Sequence, residues 1–158
     1  MNMVFRNSVT STRRQGGFVL VGILVALSAL AGGHLLMMRR APVPAASEFG
    51  LGPRTSNAGL YTATLLPIEP LRRRKLQAVQ VAITDANGAP IQHANITIDG
   101  GMPQHGHGLP TQPRVTKHVG DCVYQIEGVR FNMGGWWEFK LSVTTDSGID
   151  LVTFNLNL

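Results

Sequence analysis

From Tyr61 onward, apolar and polar side chains alternate in short runs with a period of two. Val79, Val81 and Ile83 share one face of VQVAIT, and Ala94, Ile96 and Ile98 alternate with Asn95, Thr97 and Asp99. Trp137, Phe139, Leu141 and Val143 alternate with Glu138, Lys140, Ser142 and Thr144, and Val152, Phe154, Leu156 and Leu158 form a last stripe. A period of two sends every second side chain to the same face of a strand, so each run buries one face. DANGAP (85–90) and DSG (146–148) supply turn residues between runs. With further strands expected at 61–66, 113–118 and 123–131, the pattern predicts about seven short strands and no sustained helical period. The fold class expected for residues 60–158 is all-β, an antiparallel sandwich with one buried face per sheet.

One segment departs from this pattern. Gly16 to Met38 reads GGFVLVGILVALSALAGGHLLMM, 23 residues without a charged side chain. As a helix it would span about 34 Å, enough for a hydrocarbon core of about 30 Å. Arg13 and Arg14 flank it on one side, Arg39 and Arg40 on the other. The expected organisation is a cytoplasmic tail (1–15), a transmembrane helix (16–38), a linker rich in Ala, Pro, Ser and Gly (39–59) and the sandwich (60–158). Three arginines precede the span and two follow it directly, which places the N-terminus in the cytoplasm and the sandwich outside it. The apolar stretch exceeds the 7–15 residues of a cleavable signal, so an uncleaved single-span anchor in the inner (cytoplasmic) membrane is expected. The extracytoplasmic side, the periplasm, is the compartment expected for the sandwich.

The net charge of +5 would suggest nucleic acid if it were spread over the chain. It is not: residues 1–40 hold five arginines and no acid, whereas residues 41–158 hold nine Lys/Arg and nine Asp/Glu. The basicity belongs to the flanks of the apolar segment, and a nucleic-acid partner is not expected. Within 41–158 the one basic run is Arg72-Arg73-Arg74-Lys75. It reads as a solvated loop or strand entry, or as a contact for anionic lipid headgroups or an acidic partner. The single cysteine, Cys122, excludes an internal disulfide, so the exported part depends on its core.

Catalytic templates are missing: there is no GxSxG, Walker loop or HExxH, and the acids are scattered singly. No catalytic residue is assigned and no enzyme activity is expected. The chemistry-bearing stretch is GGMPQHGHGLP (100–110), where His105 and His107 are two apart and Met102 adds a thioether. Met133, in FNMGGWW just before a strong strand, could reach the same end of a sandwich. Met and His without paired cysteines suit copper better than structural zinc. The same stretch also reads as a tight glycine turn whose histidines hydrogen-bond neighbouring strands, with Met133 as packing. The adjacent Trp136 and Trp137 are expected to point one indole into the core and one outward as a contact patch or lid.

GGMPQHGHGLPTQPRVT followed by GDCVYQIEGVRFNMGGWWEFKLSV resembles the FixH/YtkA-like family of exported bacterial domains. The likeness covers roughly residues 60–158, including GLYTATLLPIEP and DANGAPI. It implies an immunoglobulin-like sandwich behind an N-terminal anchor, and a non-enzymatic role linked to copper or to building respiratory oxidases. Met102, His105, His107 and Met133 stand at the family's Met/His motif positions. Cys122 replaces an expected turn glycine, and Arg72–Lys75 is more basic than the family pattern. The resemblance thus implies copper delivery or cuproenzyme assembly, with a membrane-protein partner such as a respiratory oxidase. The alternative is a metal-free interaction module of a membrane complex. A lesser likeness, of RRQGGFVLVGILVAL to a type IV prepilin leader, implies cleavage before Phe18, but Gly22 stands where pilins carry Glu.

Overall fold

Nine strands follow one another along the chain in a computed structural model that describes residues 41–158. They are β1 (Arg54–Thr55), β2 (Tyr61–Pro67), β3 (Gln77–Asp85), β4 (Asn95–Met102), β5 (His107–Gly108), β6 (Arg114–Gly120), β7 (Val123–Val129), β8 (Trp136–Thr145) and β9 (Gly148–Asn157). Among the described residues, a 3-10 turn, Ala46–Glu48, precedes them. The expected transmembrane helix lies outside the described residues. Among the described residues no helix is long and apolar enough to cross a membrane.

All named strand pairs are antiparallel, in the order β1-β2-β3-β7-β6-β4-β8-β9, with β5 on β4. Two well-registered blocks make up this path. In one, β3 pairs with β2 and β7; in the other, β8 pairs with β4 along seven residues and with β9 along ten. The blocks join at one residue pair, Thr97↔Arg114. At the other end β1 and β2 come back against β9, so the rolled sheet nearly closes around one core.

The alternation read from the sequence is what fills that core. Val79, Val81 and Ile83 of β3 face Phe139, Leu141 and Val143 of β8 and Val152, Phe154 and Leu156 of β9 in one buried cluster. Burying each such side chain contributes about 1.5–3 kcal/mol. Strand β7 breaks the period: its register against β3 shifts between Val79↔Ile126 and Gln77↔Val129, and Gly128 has φ +84°. This bulge adds one residue and turns both Ile126 and Val129 inward. Among the described residues, every buried apolar residue of the core lies between Tyr61 and Leu156, and residues 41–158 fall in one compact unit with its own interior.

The two-residue strands were not expected. β1 pairs with β2, and β5 folds back on the end of β4. Part of the stretch read as linker is therefore docked: Phe49 bridges Asn155, and the Gly50 N–H donates to the Asn155 carbonyl (3.0 Å). Asp150 fixes the next segment, accepting from the Ala58 N–H at 2.9 and 3.1 Å and from the Leu60 N–H at 3.3 Å.

Candidate metal centre

Two adjacent glycines let β4 run into the GGMPQHGHGLP hairpin. A Cβ on Gly100 would collide with the Glu138 carbonyl oxygen of β8, and one on Gly101 with the His107 carbonyl oxygen of β5. Both walls are backbone, so no side-chain rotation relieves the contact. Strand β5 then returns with Gly101↔Gly108 and Met102↔His107 in register. The turn between is closed by the His105 and Gly106 N–H groups, which both donate to the Met102 carbonyl at 3.0 and 2.9 Å. Gly106 has φ +65°, a conformation only glycine adopts without strain.

This turn lifts both imidazoles into solvent. His105 and His107 are exposed, and their rings lie parallel within 5° with centroids 6.2 Å apart. Among the described residues neither side chain hydrogen-bonds a neighbouring strand. What shapes the turn is the backbone and its glycines. The histidines are free to bind something else.

The two methionines occupy different environments. Met102 is a core side chain, 1% exposed, and its methyl carbon lies 3.3 Å from where a Cβ on Gly135 would stand. Its thioether thus sits under the Met133–Gly135 loop. Met133 is 41% exposed on that loop, and its carbonyl accepts the Trp137 indole N–H at 3.0 Å. Hairpin and loop meet at one end of the rolled sheet through Met102. Among the described residues no group of three or more His, Cys, Asp or Glu gathers in one place. Any ion here would depend on two imidazoles and sulfur, a donor set suited to soft copper and poor for zinc, calcium or magnesium.

The expectation for the tryptophans needs correction. Trp137 packs inside, edge-on to Phe131 at 5.3 Å between centroids. Trp136 lies on the opposite face but is also buried, 7% exposed. Its indole N–H donates to Asn155 Oδ1 (2.9 Å), and Asn155 Nδ2 donates to the Glu48 carbonyl (3.3 Å). The docked segment around Glu48 is thereby tied to the strand beside the ring. No outward indole is left to form a patch or lid.

Cys122 sits in the β6–β7 turn, as expected. Of the basic run, Arg73 bridges Phe131 and lays its guanidinium against Gly134, one residue from Met133. Sequence reasoning gave no sign of this approach, because it arises from a pairing between residues 58 positions apart.

No curated protein and no solved structure matches the chain. The YtkA-like family model matches residues 55–142, a span that holds the first motif segment, all but the last residue of the second, and all four Met/His positions. The match covers more than half of the sequence, and the chain belongs to the YtkA-like family.

Proposed function

We propose that this protein is a membrane-anchored, extracytoplasmic YtkA-like domain that binds copper as cargo, for delivery or for assembly of a respiratory cuproenzyme. The observation that carries the reading is the pair of parallel, exposed imidazoles of His105 and His107, on a hairpin whose Met102 packs against the loop that exposes Met133. Two metal–nitrogen bonds of about 2 Å each require ring nitrogens within about 4 Å. The rings, with centroids 6.2 Å apart on exposed side chains, would turn towards each other to reach that separation. Met133 would add a thioether from the loop that Met102 packs against. Met102 would supply sulfur from below, once the loop over it lifts. Exposed donors with no internal partner suit cargo that must be handed on.

The 23-residue apolar segment and its arginine flanks support the anchor, and the lack of a catalytic constellation supports a role other than catalysis. Titration of residues 41–158 with Cu(I) against a competing chelator tests the site. The expected result is one bound ion, lost in the His105→Ala/His107→Ala variant. Wild-type affinity in that variant would remove these histidines from the site. The anchor is tested separately by the intact mass of the membrane form, where a new N-terminus at Phe18 would indicate a prepilin-like protein instead.

A further inference from the structure

The β2–β3 connection, Ile68–Leu76, combines two exposed aliphatic side chains with four consecutive cations. Ile68 and Leu76 are 55% and 62% exposed, and both line one crevice of about 220 Å³ with Glu69 and Lys75. Pro67, Pro70 and Leu71 line an adjoining apolar crevice of about 470 Å³. Between these apolar positions stand Arg72, Arg73, Arg74 and Lys75, all exposed.

Charge is divided just as unevenly. Residues 67–77 carry four cations and one acid, while the rest of 41–158 carries five cations and eight acids. A stretch that is neutral in sum therefore carries a local excess of three positive charges on this one connection, balanced by three negative charges over its other residues. Lys75 is paired with Glu69, and Arg73 is laid against Gly134. Arg72 and Arg74 form no ion pair among the described residues, and Arg72 acts on Glu69 only at longer range, helping Lys75 to lower its carboxyl pKa.

The loop is also held in shape. The Arg72 N–H donates to Gln77 Oε1, and Gln77 Nε2 returns a hydrogen bond to the Arg72 carbonyl, both at 3.1 Å. The Arg74 N–H donates to the Phe131 carbonyl at 2.6 Å, with Arg74 at φ +61°. A rigid loop that offers apolar tips between unpaired cations matches a bilayer interface, where anionic headgroups meet acyl chains. An acidic protein partner would account for the arginines but would leave the exposed Ile68 and Leu76 without a role.

We infer that the Ile68–Leu76 loop is an interfacial contact that seats the sandwich on an anionic lipid surface, through Arg72 and Arg74 to headgroups and Ile68 and Leu76 into the acyl boundary. The inference deepens the membrane-anchored reading and is independent of copper. It is tested on residues 41–158, which have their own core, so the result does not depend on the apolar N-terminal segment. Sedimentation with vesicles of phosphatidylcholine alone, or with 30% phosphatidylglycerol, is the measurement. Binding to the anionic vesicles only is expected, weakening with salt and falling about five-fold for each arginine neutralised in Arg72→Gln and Arg74→Gln. Leu76→Ser and Ile68→Ser should each lower binding severalfold with the fold intact by circular dichroism. Equal binding to both vesicle types, no binding, or binding unchanged by the serine variants and reproduced by soluble polyglutamate would each overturn the inference. Failure here would leave the anchor untouched, since intact mass and membrane extraction test that independently.

Discussion

A Cβ on Gly100 would run into the Glu138 carbonyl oxygen, so no side chain fits between β4 and β8 where Gly100 pairs with Phe139. The first glycine of the GGMPQHGHGLP stretch is thus a packing requirement of the sandwich, set apart from any ligand the loop takes. Gly100→Ala is expected to cost about 1–3 kcal/mol in denaturant unfolding, because the opposing wall is backbone. Gly120→Ala, where a Cβ meets nothing within 4 Å, should stay within about 0.5 kcal/mol.

Trp137 links the core to the exposed methionine, since its indole N–H is held by the Met133 carbonyl. Trp137→Ala should cost about 3–5 kcal/mol. Trp137→Phe keeps most of the ring but removes the donor, and it should weaken Cu(I) binding more than it weakens the fold. Parallel copper titration and thermal unfolding of the two variants check this.

The two methionines should separate in the same titration. Met133→Leu is expected to lower Cu(I) affinity at least ten-fold with little effect on stability. Met102→Leu conserves volume in the core, should cost less than about 1.5 kcal/mol, and should reduce affinity by a smaller factor. The reverse order would make the buried thioether the principal sulfur ligand.

Asp150 gives the fold an acid-sensitive point. Burial would raise its carboxyl pKa, but donation from the Ser56 hydroxyl and the Ala58, Leu151 and Leu60 N–H groups prevails and lowers it to about 2. A depressed folded-state pKa contributes stability that is present above the ordinary value near 4 and lost as pH falls towards 2. Asp150→Asn should therefore be less stable than the wild type at neutral pH, and the difference should shrink between about pH 4 and pH 2. A constant difference across that window in urea midpoints would rule out this role.

How far the sequence could be read depended on what each feature rests on. The stripes Val79–Ile83 and Trp137–Val143 were legible because one face of each strand is buried, which forces the period of two. β1 and β5 were not, since two residues carry no period and owe their pairing to neighbours brought in by the fold. Trp136 shows the same limit. Alternation places its ring on the face opposite Trp137, but a segment over 80 positions earlier is bound to Asn155 beside it. At the candidate site, spacing grouped His105 with His107 correctly in space. It could not tell that Met102 lies inside the core while Met133 is at the surface, because a thioether suits either place.

The single Thr97↔Arg114 pair between the two sheet blocks also bears on motion. Beyond it β6 has β7 on one side only, and most of its residues are exposed. Opening there breaks few contacts, so the amides of Val115–Val119 should exchange with deuterium orders of magnitude faster than those of β8, which is paired on both sides. The molecule then has a fast-breathing seam on one flank and a slowly exchanging sheet beneath the histidine hairpin. Hydrogen exchange resolved by residue would reveal this division of timescales, and uniform protection across β6 and β8 would refute it.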